Sequence, residues 1–165
     1  MNGALDQFSQ KFAELLFARQ PQWRQFVQET ASEHVSSHLR LIVGRPVAAD
    51  RVGGLTIDTR DGEITLECGR HWHGHWSPIQ TGEDDEDDAL RRAMAFIDSV
   101  VAEEVVMVLA LSDRRPLGGR VVDADAARDI VARGQAAFTF APKGTDRLDL
   151  WSWQGTYDAV LPPYP

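Results

Sequence analysis

At 165 residues and 18.4 kDa, with 43% hydrophobic and 25% charged residues, the chain has the size and composition of one globular domain able to bury a core. It has no apolar run near the roughly 20 residues of a membrane helix, no basic and apolar leader, and one cysteine, Cys68, so membrane insertion and an internal disulfide are excluded and a cytoplasmic location is expected. The net charge of −8 is concentrated in residues 61–112, twelve acidic against three basic, a field that repels phosphate backbones and excludes nucleic acid as the expected partner.

In chain order, Leu5, Phe8, Phe12, Leu15 and Leu16 keep a helical rhythm that predicts a helix over about Leu5–Ala18. Pro21 suits the first position of a second helix, about Pro21–His34, with Trp23, Phe26, Val27 and Thr30 inward. Leu39–Val43 is a short apolar strand. Gly54–Thr59 and Glu63–Cys68 flank Arg60-Asp61-Gly62, and Asp-Gly marks a hairpin. In the second of these strands Ile64, Leu66 and Cys68 share the apolar phase, and Glu63, Thr65 and Glu67 the polar one.

The acids Glu83–Asp88 open a third helix, about Asp85–Val101, where they complement the helix dipole, and Leu90, Ala93, Met94, Ile97, Val100 and Val101 form its stripe. Val105–Leu111 reads as a central strand buried on both faces, with Pro116–Val122 pairing beside it. A short helix, Asp125–Arg133, ends at Gly134, and Leu148–Trp153 is the last strand. This pattern predicts a single α+β domain over residues 1–165: a helical pair over 1–36, then a mainly antiparallel sheet with two further helices over 37–165.

The stretch that looks most like chemistry is Arg70–Trp76, R-H-W-H-G-H-W. On a strand, a period of two sets His71, His73 and His75 on one face and Trp72, Gly74 and Trp76 on the other. Two readings stay open. Alternating imidazoles can offer nitrogen to zinc or iron, in a structural site or an open catalytic one, although same-face side chains about 6.5–7 Å apart need a bend at Gly74 for all three to meet one ion. Alternatively the tryptophans cover a core and the histidines face water or a partner. The second is preferred, since H-E-x-x-H and C-x-x-C are missing; His71, His73 and His75 remain weak metal candidates. His34 and His38 stand i, i+4 at a helix end. Gly53-Gly54 and Gly118-Gly119 lack a phosphate-loop context, and Cys68 lies in the apolar phase of its strand. No catalytic residue and no cofactor is therefore expected.

The other unusual segment is Trp151–Asp158, W-S-W-Q-G-T-Y-D, which reads by itself as an aromatic closing strand. Taken together, the strand E-I-T-L-E followed by histidines alternating with aromatics (Glu63–Trp76), an acidic segment leading into a helix and the late S-W-Q-G-T-Y-D resemble immunity proteins of bacterial polymorphic and contact-dependent toxin systems. The resemblance spans about Leu55–Asp158. It implies a small cytoplasmic protein without catalytic residues that binds and neutralises a cognate toxin domain. The charge fits this independently: an acidic inhibitor gains encounter rate toward a cationic enzyme. The expected partner-binding residues are Glu83, Asp84, Asp85, Glu86, Asp87 and Asp88 for steering and His71, His73 and Trp76 for contact, with tryptophan, tyrosine and arginine, where exposed, as the hot-spot types. The alternatives are a small metal-dependent enzyme on the histidine strand and an interaction or regulatory domain.

Overall fold

Antiparallel pairing organises the chain into two four-stranded sheets, and helices complete an α+β fold. The computed structural model describes residues 5–28, 37–46, 53–69, 72–78, 86–134, 138 and 141–162. None of its described helices is long and apolar enough to cross a membrane. The chain gathers into two compact units: α1 (Gln7–Arg19) and the first sheet apart from Cys68 and Trp72 lie in one, the second sheet and α3 (Ala124–Arg133) in the other, and α2 (Glu86–Val101) divides between Ile97 and Asp98.

In the first unit, Asp6 caps α1 by accepting the Ser9 amide at 2.8 Å, as short oxygen-bearing side chains do at helix starts. Phe8, Phe12 and Leu16 are buried along the helix, whereas Leu15, expected inward, is exposed. The second helix is shorter than its pattern predicts: a six-residue 3-10 helix, Pro21–Phe26, buries Trp23 and then stops. Val27 turns extended and bridges Leu41, and the Gln28 amide donates to the Arg40 carbonyl at 2.8 Å, so sheet pairing overrides helical propensity; Val27 is exposed as a result. Thr30 and His34 lie outside the described residues.

The first sheet runs in the order β1 (Arg40–Val43), β2 (Leu55–Asp58), β3 (Ile64–Cys68), β4 (Trp72–Trp76). The β2–β3 connection behaves as Asp-Gly requires, with positive φ at both Asp61 (57°) and Gly62 (72°). Leu41, Val43, Leu55, Ile57, Ile64, Leu66 and Cys68 alternate into the buried side. A buried hydroxyl chain, Asp6–Ser9–Thr59, ties the start of α1 to the sheet: Ser9 Oγ and Thr59 Oγ1 are 2.6 Å apart, and Thr59 Oγ1 accepts the Leu39 amide at 2.9 Å. α2 buries Leu90, Ala93, Met94, Ile97 and Val100, the expected stripe apart from half-buried Val101.

The second sheet has the order β6 (Arg115–Asp123), β5 (Val105–Ser112), β7 (Arg147–Trp151), β8 (Ala159–Leu161). β5 is central, antiparallel to both neighbours, and buried from Val106 to Leu111. Val106, Val108, Ala110, Leu148 and Leu150 form one face with Ala127, Ile130 and Phe138. α3 is capped by Asp123, which accepts the Ala126 amide at 2.7 Å, and ends at Gly134, φ 70°. β6 is an edge strand, exposed from Arg115 to Arg120; its pairing shifts between Ala110 and Leu111, leaving Leu117 as an extra, 41% exposed residue. The strand expected at Leu148–Trp153 ends at Trp151, and the three-residue β8 follows it.

Candidate functional site

The outer side of the first sheet collects the polar phase of all four strands. β1 contributes Arg40 and exposed Ile42, β2 Thr56 and Asp58, β3 Thr65 and Glu67 with Glu63 just before it, and β4 His73 and His75. Register places Arg40 opposite Asp58 and Ile42 opposite Thr56. Arg40, Thr56, Asp58, Arg60, Thr65 and Glu67 line an open groove of about 220 Å³. Asp58 stands 3.6 Å from both Arg40 NH1 and His38 Nε2, so its carboxylate faces a guanidinium and a buried imidazole just ahead of β1.

β4 settles which way the histidines point. Trp72, Gly74 and Trp76 are half-buried, and His73 and His75 are exposed, the alternation a strand imposes. His75 Nδ1 lies 2.5 Å from Glu63 Oε1 and 3.2 Å from Thr65 Oγ1. An ionised carboxylate only accepts, so Nδ1 carries the proton and Glu63 fixes the tautomer and the ring orientation, leaving Nε2 as the ring nitrogen outside that contact. The His73 ring stands edge-on to it, centroids 5.0 Å apart. His71 lies outside the described residues. Among the described residues no group of three or more His, Cys, Asp or Glu side chains is placed to hold a metal ion.

The remaining expected contacts are distributed differently. Trp76 lies on the face opposite the histidines, as the period of two predicts, and its ring packs 5.3 Å from that of Phe96 on α2. Of the five tryptophans, Trp23, Trp151 and Trp153 are buried and Trp72 and Trp76 half-buried. In the acidic run, Glu83, Asp84 and Asp85 lie outside the described residues. Glu86 pairs with Lys11 at 2.6 Å, a hydrogen bond that raises the lysine's pKa, and Asp87 is exposed. Asp88 is 7% exposed and bound by Arg91 and Arg92 of the following turn, so it is withdrawn from the surface on which a partner was expected to meet it. Cys68 is a core thiol, pushed up to about 12 by burial.

The C-terminal motif is held by residues far away in sequence. Glu103 sits just past α2 in a left-handed conformation, φ 55°, and is 9% exposed. Its Oε1 accepts the Gln154 amide at 2.6 Å and the Thr156 amide at 3.4 Å. Burial alone pushes this carboxyl up, but the Thr156 and Ser152 hydroxyls together with the two amides outweigh it and hold the pKa below the ordinary value. Asp158 accepts the Ser152 amide at 2.9 Å and pairs with Arg45 NH2 at 2.6 Å. The Arg45 side chain, 3% exposed, also lies 5.1 Å from the Trp151 ring centre. Trp151–Asp158 is thus a closed structural knot. Sequence reasoning missed Glu103 and Arg45, because neither carries a local pattern that names its distant partner.

Compared with known proteins, the chain matches no family model, no curated protein and no solved structure.

Proposed function

We propose that this protein is a non-enzymatic binding protein of the immunity type, which neutralises a cognate toxin domain by occluding it. The observation that carries this reading is the outer side of the first sheet: a mainly polar surface, Arg40, Thr56, Asp58, Glu63, Thr65, Glu67, His73 and His75 with one exposed apolar side chain, Ile42, presented on a sheet whose other side is packed. Side chains set on paired strands are held in place before a partner arrives, so less conformational entropy is lost on contact. Cross-strand pairs such as Arg40–Asp58 and Glu63–His75 give that surface a fixed pattern of donors and acceptors.

The charge of Glu83–Asp88 supports the approach step. Glu86 and Asp88 are paired within the chain, yet residues 61–112 still carry −9, a field that draws a cationic partner and weakens with salt. Contact belongs to His73, His75, Glu63, Thr65 and Glu67, and the tryptophans act behind them as packing.

The test is co-expression in bacteria with the toxin domain encoded beside this chain. Rescued growth and a recoverable complex are expected, together with loss of the complex when Thr65 and Glu67 are both replaced by Arg. Growth arrest despite soluble expression of this chain would refute the reading.

A further inference from the structure

The geometry points to a two-histidine site for a divalent transition metal of the zinc class on the outer side of β4, formed by His73 and His75 and oriented by Glu63. This inference stands apart from the binding reading and holds or fails without it.

Three observations meet at this place. With metal–nitrogen bonds of about 2.0–2.1 Å and a tetrahedral angle, two imidazoles on one ion hold their ring centres about 5 Å apart. The two ring centres are 5.0 Å apart as they stand, with the planes at 80°, so the strand already holds the imidazoles at that separation and side-chain rotation is what brings their nitrogens onto one ion. Ligating histidines generally donate the other ring N–H to a carboxylate, and Glu63 accepts from His75 Nδ1 at 2.5 Å, leaving Nε2 as the ligating atom. Both imidazoles are exposed, so an ion reaches them from solvent and water fills its remaining positions. Imidazole ligands select zinc, copper or nickel over magnesium and calcium, which prefer oxygen.

The experiment is equilibrium dialysis of the full chain against Zn²⁺, with Mg²⁺ as the comparison ion, repeated in a His71→Ala background so that the two named imidazoles alone carry the result. Saturable binding of one zinc per chain is expected in both backgrounds, with no comparable uptake of magnesium. His73→Ala and His75→Ala should each weaken it at least about tenfold, and Glu63→Gln about tenfold, the effect typical of an orienting carboxylate. Copper bound to the His71→Ala chain should show two imidazole nitrogens by electron paramagnetic resonance, a readout that needs no variant at the site. Absence of saturable zinc binding in the His71→Ala background, binding indifferent to His73→Ala and His75→Ala, or a one-nitrogen copper spectrum would each overturn the site. Unchanged affinity in Glu63→Gln would remove the carboxylate's role.

Discussion

A β-carbon on Gly54 would lie 1.9 Å from the carbonyl oxygen of Val43, where the start of β2 crosses the end of β1. Only a backbone shift in a paired strand can relieve that clash, so Gly54→Ala is expected to lower stability by more than about 1 kcal/mol in urea denaturation. His75 makes the opposite case. It is exposed and its pair with Glu63 is solvated, so His75→Ala is expected to change unfolding free energy by less than about 0.5 kcal/mol. A larger loss would mean that the residue belongs to the packing rather than to the recognition surface. Glu103 adds a pH dependence. Its folded-state pKa lies below the ordinary 4.5, so its stabilisation is complete above about that pH and is lost as pH falls through the depressed value. Glu103→Gln should flatten the acid limb of the stability profile, and an unaltered limb would contradict the role of the Gln154 and Thr156 amides.

Elements whose cause is local were legible in the residues. The Asp61-Gly62 hairpin, the stripe of α2, the cap-to-glycine span of α3 and the doubly buried β5 each follow from a few neighbouring side chains. The Asp123 side chain caps α3, and Asp123→Ala should destabilise the protein by about 1 kcal/mol, read as a lower denaturation midpoint with unchanged slope. What was not legible depends on distant partners. The second helix ends early because Val27 meets Leu41, and the chain closes two sheets where one was expected because β5 pairs with β6 and β7 rather than with the first meander. The same limit governed the candidate site. The outward setting of His73 and His75 and the inward turn of Trp72 and Trp76 were readable from the period of two, but the burial of Asp88 under Arg91 and Arg92 was not. The sequence shows that a ring or a charge is present, not what packs on it.

For the molecule as a whole, charge of −8 acts on any partner before contact does. With the toxin domain in hand, association should slow as ionic strength rises, and lysines in place of Glu83–Asp88 should slow it at low salt while changing dissociation little, as measured by stopped flow. The exposed rim of β6 bears on behaviour at high concentration. An open strand edge invites another chain to lie alongside it, but here Pro116 offers no amide hydrogen, Leu117 breaks the register, and Arg115 and Arg120 bring like charges together when two copies meet. Removing those guards, Pro116→Val with Arg115→Thr, would convert a discreet border into an adhesive one, and the first sign would be fibrillar material in a stored solution rather than any change in how the single chain folds.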